Sequence, residues 1–271
     1  MNASVGLLPL PRPLMTAEVL DAAFRLFHAG ILRCLPYSGI AVLVIELPTL
    51  YSTFFAPRAT PGILSGNLKL VGYLAVFLLS VPLLGLITLR LSALAQGARP
   101  RFRAELATAL AGWPMGIVAT VFAFGYPLLL WFLWPLAIVT LPGTALMFAA
   151  VPVVWPVTIL VMVLPAFWCD QLTPFSAFVQ SVRVSVRHSW RMFGALLAIA
   201  CMVTAFFVLS TVIVWMTSPL FGRADLFLIA TVESMLYLVV GAFGVPFVLA
   251  VMIVAYQDLK LRAQERRGAA T

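Results

Sequence analysis

The sequence predicts an all-α fold, a polytopic transmembrane helical bundle of six spans with amphipathic interfacial helices before spans 1, 3 and 5. Three observations predict it. First, 63% of the 271 residues are hydrophobic and 10% are charged, with a mean hydropathy of +1.09. Soluble domains carry about 25% charged residues, and surface-to-volume geometry forces them to show polar surface. Second, the apolar runs are continuous. In lipid the backbone must satisfy itself within helices or a closed barrel, and runs without alternation select helices. Third, the cations gather between the runs.

The chain reads as a single integral membrane domain, 1–271, with 1–15 as a flexible N-terminal arm and 260–271 as a basic tail. "MNASVGLLPLPRPLM" lacks a charged n-region before a long apolar core and carries Pro9, Pro11 and Pro13, so no cleaved signal peptide is expected. Crossing the hydrocarbon core takes about 20 apolar residues. Six segments qualify: Leu35–Ala56, Leu68–Leu89, Pro114–Val139, Phe148–Trp168, Phe193–Met216 and Phe227–Tyr256. Pro127, Pro135, Pro142, Pro152, Pro156 and Pro165 crowd the third and fourth, where kinked or partly unwound helices are expected.

Three segments ahead of the odd-numbered spans read as helices lying in the headgroup plane. In "TPFSAFVQSVRVSVRHSWR", Thr173 can N-cap and Pro174 suits the first helical position. Phe175, Phe178, Val179, Val182, Val186 and Trp190 make one stripe, with Ser176, Gln180, Arg183, Arg187 and Arg191 opposite. In "TAEVLDAAFRLFHAGILRC", Leu20, Ala23, Phe24, Phe27 and Ile31 make the apolar side. Glu18 and Asp21 suit its N-terminus, and Asp21 and Arg25 are spaced for an i,i+4 pair. In "RPRFRAELATALAGW", Phe102, Leu106, Leu110 and Trp113 align. An interfacial helix followed by two spans, three times over, is the implied internal repeat.

Charge orients the bundle. Arg12, Arg25 and Arg33, then Arg90, Arg99, Arg101 and Arg103, then Arg183, Arg187 and Arg191, then Lys260, Arg262, Arg266 and Arg267 fall on one side. Arg58, Lys69 and Arg223 fall on the other. Fourteen against three places both termini in the cytoplasm by the positive-inside rule. Trp113, Trp168 and Trp190 fall at inner ends and Trp131, Trp134 and Trp215 toward outer ends, as interfacial aromatics do. Trp155 lies deeper. The net charge of +8 belongs to this arrangement, with membrane lipid as the partner; no nucleic-acid groove pattern is present. Other membrane proteins or a second copy are further candidate partners. Cys34, Cys169 and Cys201 have no paired spacing, so neither metal nor cofactor is expected.

"AFRLFHAGILRC", "LPAFWCDQLTPFSAFVQSVRVSVRHSWRMFG" and "IVAYQDLKLR" give the chain its likeness to known proteins. It resembles the YciC-like group of bacterial six-span inner-membrane proteins, and is similar to the membrane domain fused to some glycerophosphodiester phosphodiesterases. Ser181, Ser185, Trp190, Tyr256, Asp258 and Leu259 carry the match. The resemblance implies a multi-pass inner-membrane protein of unassigned activity and supplies no catalytic residues.

Two carboxylates stand inside apolar runs. Glu46 lies near the middle of the first span and Glu233 in the outer half of the last. A charge at the bilayer centre costs at least about 2.5 kcal/mol. One reading makes Glu46 a protonated interhelical hydrogen-bonder and has Glu233 reach interfacial water; the other makes the two a proton or cation path. Residues at the matching repeat positions are Ala123 and Cys201, so no threefold carboxylate ring is encoded. Ser185, His188 and Ser189 lack an orienting acid and an oxyanion site. Asp170 and Asp258 are expected to pair with Arg191, Lys260 or Arg262. The function expected is non-enzymatic, organising lipid or partner proteins, with Arg183, Arg187, Arg191, Trp190, Arg25 and Arg33 as headgroup contacts. The alternative is a small transporter or channel using Glu46 and Glu233.

Overall fold

A computed structural model describes residues 7–8, 10–54, 63–98, 101–140, 156–217 and 226–268. All the regular structure there is helical. In chain order it comprises α1 (Thr16–Phe54), α2 (Ile63–Ala95), α3 (Phe102–Ala111), α4 (Trp113–Thr140), α5 (Val163–Asp170), α6 (Pro174–Ser185), a 3-10 turn (Val186–His188), α7 (Ser189–Thr217) and α8 (Leu226–Gly268).

Among the described residues, four segments are long and apolar enough to cross a membrane: Thr16–Pro48, Val71–Ala95, Pro174–Met216 and Ser234–Arg266. A fifth is the pair Phe102–Ala111 and Trp113–Tyr126, bent by 70° at Gly112. Pro156–Asp170 is a shorter apolar helix; the rest of the expected fourth span lies outside the described residues.

The expected interfacial helices fare differently. The first does not stand apart: α1 runs unbroken for 39 residues through the expected boundary at Leu35. At about 1.5 Å per residue it is longer than the hydrocarbon core. Pro36 lies within it and removes one donor without ending it. The chain before α3 and α6 does begin new helices. Thr173 accepts the Ser176 N–H and Pro174 opens α6, as its sequence predicts. Glu18 accepts the Met15 N–H at 2.6 Å, closing the first turn of α1. Gly97, at φ 72°, ends α2 with bonds from its own N–H to Leu94 O and from Ala98 N–H to Ala93 O, a Schellman turn that needs a left-handed residue.

The faces packed inside are not the stripes read from sequence. On α6 the buried residues are Pro174, Ala177, Ser181, Val184 and Ser185, while Phe175 is 68% exposed and Trp190, just beyond, 78% exposed. On α3 the buried residues are Glu105 and Ala109, while Phe102 and Leu110 are exposed. On the first half of α1 they are Val19, Ala23, Leu26 and Cys34; of the expected stripe Ala23 is buried, Leu20 and Phe27 pack half-buried against the core, and Phe24 is exposed. Lipid is as apolar as leucine, so close helix approach, not apolarity, selects the inward face.

The core is built by α1 against α8 and α2, with α7 on α8 and the α5–α6 hairpin closing over α2, α4 and α8. Trp168 anchors it. Its ring is buried within the protein. Gly85, Gly112 and Gly116 surround the indole; a Cβ added to Gly85 would come within 2.5 Å of it, and one on Gly116 within 2.9 Å.

Candidate functional site

The first of the two intramembrane carboxylates, Glu46, is half-buried on α1. Glu233 belongs to α8, and its side chain lies outside the described residues. Of the expected headgroup contacts, Arg183 and Arg187 are exposed and Arg191 is half-buried. Trp190 stacks on Phe193 with ring centroids 5.3 Å apart. Arg25 pairs with Asp21 at 2.6 Å, as expected. Arg33 is exposed, and its carbonyl accepts from Arg90 at 3.1 Å. Arg58, Arg99 and Arg223 lie outside the described residues, as do the side chains of Lys69, Arg267, Trp131 and Trp134. Trp155 lies there too.

Three polar clusters tie elements together: one joins α2 to α3 and α1, one joins α5 to α8, and one joins the residues before α1 to α8. The first is buried. Arg90, counted from sequence as a loop cation, ends its side chain against Glu105 with Nε and Nη2 both 2.9 Å from Oε2; the two side chains are 9% and 10% exposed. Arg90 Nη1 donates to Tyr37 Oη at 3.1 Å, and its guanidinium lies 4.8 Å from the centre of the Tyr37 ring. Glu105 Oε1 accepts the Arg101 N–H at 3.2 Å. Every partner is thus answered, which a buried ion pair requires.

In the second cluster, Asp170 at the end of α5 accepts from Lys260 Nζ at 2.9 and 2.8 Å and from Tyr256 Oη at 2.6 Å. In the third, Asp258 and Arg262 close on the backbone of Leu14. Asp258 accepts the Leu14 N–H at 2.7 Å, Arg262 Nη2 donates to Leu14 O at 2.6 Å, and the two side chains meet at 2.9 Å. The expected pairing of the two aspartates with Lys260 and Arg262 is seen. Asp258 and Arg262 were legible as an i,i+4 pair; the Arg90–Glu105 contact was not, because it joins different helices.

The residues quoted for the family resemblance divide by burial. Ser181, Ser185, Tyr256, Asp258 and Leu259 are buried, and Trp190 is exposed. Ser181 donates to the Ile159 carbonyl, where the short helix 156–170 breaks at Val161 and Met162. Ser185 Oγ is buried without a partner among the described residues, so with His188 on the following 3-10 turn it forms no accessible nucleophile–base pair.

The long apolar helices, the small-residue faces packed inward and the paired charges define a class, that of helical chains suited to a multi-pass place in a membrane. No protein-family profile, curated protein or solved structure matches the chain.

Proposed function

We propose that the chain is a protein of the bacterial inner membrane that crosses the bilayer six times with both termini in the cytoplasm, and that it organises lipid or partner membrane proteins without catalysing a reaction. The six spans are the second half of α1, α2, α4, residues 148–168, α7 and α8. The YciC-like resemblance accords with this count. The observation that carries the reading is the surface of α6 and the start of α7. An apolar stripe of Phe175, Val179, Val186 and Trp190 stands exposed beside exposed Arg183 and Arg187, while a small-residue face holds the helix to the bundle. Such a surface suits the boundary between headgroups and acyl chains, and cations near it gain about 1 kcal/mol each from anionic lipid.

The chain is expected to stay with membranes after an alkaline carbonate wash; release into the wash would overturn the reading. Complementation of a deletion strain separates the two functional classes. Changing Arg183, Arg187 and Arg191 together to Gln should impair growth or lipid phenotype, whereas Glu46→Gln with Glu233→Gln should retain full function. Loss of function in the carboxylate pair alone would favour transport through those acids.

A further inference from the structure

Helix α8 divides into two unlike halves at Pro246. Among the described side chains from Thr231 to Val245, Ala242 is buried and the rest are half-buried or exposed; Met235 and Val239 stand 57% and 50% open. From Pro246 to Leu259 every residue is buried except Val248 and Gln257, which are half-buried. The second half is a fixed post inside the core, and the first half is held far more loosely. Few buried contacts are what mark a segment that opens at low cost.

The junction is built to bend. Proline has no N–H, so Pro246 leaves the Ala242 carbonyl without its helical donor. Gly244 lies two residues before it, and a Cβ there would meet nothing within 4 Å, so no neighbour wedges the backbone straight. Sharp bends in helices fall at such prolines.

The freed carbonyl is answered from α1. Ser38, fully buried, donates from Oγ to Ala242 O at 2.7 Å. The same Oγ lies 3.2 Å from Leu35 O, one turn back on its own helix. A hydroxyl carries one proton, so the two bonds are alternatives. Donation to Ala242 ties α8 to α1. Donation to Leu35 satisfies Ser38 and unties α8. Beside this bond the two helices touch, since a Cβ on Gly241 would come within 2.8 Å of the Val42 side chain. Helix α2 shows the same divide at Pro82: none of Val71 to Leu79 is buried, and most of Ser80 to Ala95 is. There the freed Leu78 carbonyl is held by Trp113 Nε1 at 2.8 Å, a donor with no second acceptor among the described residues.

We propose that α8 is a hinged helix: residues 226–245 swing on Pro246 away from α1, and Ser38 is the latch, moving its one proton from the Ala242 carbonyl to that of Leu35. The swing parts α8 from the stretch of α1 that runs from Val42 and carries Glu46, while residues 247–259 stay in the core. Helix α2 keeps its matching bend closed, because its donor has no alternative. The device goes beyond the organising role proposed above and supplies a second conformation for the bundle.

The test is hydrogen–deuterium exchange of the full chain in detergent micelles, read by mass spectrometry along α8. Ser38→Ala removes the latch and should speed exchange across residues 231–245 about tenfold, as loss of one buried hydrogen bond does, with residues 247–259 unchanged. Pro246→Ala restores the N–H that the Ala242 carbonyl lacks, so it should slow exchange across 231–245. In that background Ser38→Ala should add no further change, because the carbonyl already has its donor. Trp113→Phe removes the counterpart bond on α2 and should leave 231–245 as in the parent. Equal acceleration of 247–259 in Ser38→Ala would mean a general loss of stability and overturn the hinge. Unchanged exchange across 231–245 in Ser38→Ala would overturn the latch. Should Ser38→Ala not fold, Pro246→Ala decides alone: exchange across 231–245 that is unchanged or faster would overturn the proposal. None of these outcomes touches the carbonate wash, on which the membrane reading stands or falls separately.

Discussion

Arg90 and Glu105 show how much one buried pair can hold. Their charges sit on different helices, nearly out of reach of solvent, with Tyr37, the Arg33 carbonyl and the Arg101 N–H taking up the remaining donors and acceptors. Removing one partner leaves the other charge buried and unanswered, which costs about 3–5 kcal/mol. Glu105→Ala should therefore lower the thermal midpoint in detergent sharply. Asp21→Ala, which opens the exposed pair with Arg25, should change stability by no more than about 0.5 kcal/mol. A Glu105→Ala protein as stable as the parent would refute the role given to the pair. The contrast also marks what the sequence could tell. Asp21 and Arg25 were readable because both lie on one helix at a fixed spacing. Arg90 looked like any cation after an apolar run, because nothing local announces a partner on the next helix.

At the scale of the element, helical period and caps were legible and the direction of the faces was not. Thr173 and Pro174 open α6 as their chemistry dictates. Yet the stripe of Phe175, Val179 and Trp190 turns outward, and Ala177, Ser181 and Ser185 turn in. A rule drawn from proteins in water sends the apolar face to the core; beside lipid that preference vanishes, and the face that lets backbones approach wins. The glycines make the same point measurable. Gly85 lies against the Trp168 indole, whereas a Cβ on Gly194 in α7 would meet nothing within 4 Å. Gly85→Ala should cost about 1–3 kcal/mol through overpacking. Gly194→Ala should gain about 0.5–1 kcal/mol, the helical preference of alanine over glycine. Paired thermal unfolding curves check the difference in sign; equal shifts would remove Trp168 from its place as the packing centre.

For the whole molecule, composition and continuous apolar runs predict helices of membrane-crossing length, and the regular structure among the described residues is all helical. Four such segments, or five with the bent pair, lie among the described residues. The helix break expected ahead of the third span is present at Gly112, where the axis turns by 70°, and the one expected at Leu35 is absent, because α1 continues. Residues flanking that point carry no glycine turn like the one at Gly97, and a proline inside a long helix bends it more readily than it ends it. The proposed topology, which rests on the positive-inside count, is open to a direct test. Reporter fusions at Arg58 and Arg223 should report an external position, and fusions after Arg103 or Arg187 a cytoplasmic one. A cytoplasmic signal at Arg58 or Arg223 would reverse the assignment.

The grip of Asp258 and Arg262 on Leu14 also sets a timetable. The hydrogen bond that closes it spans 244 residues of chain, and α1 packs most extensively on α8. At synthesis rates of about 5–20 residues per second, Leu14 emerges roughly 12–50 s before its partner exists. Throughout that interval Phe24, Phe27 and Ser38 of α1 lack Phe247 and the Ala242 carbonyl, their final neighbours on α8. Nascent chains stalled before Asp258 are consequently the ones that cellular quality control should recognise and degrade, and release past Arg262 is the moment at which the newborn protein escapes it.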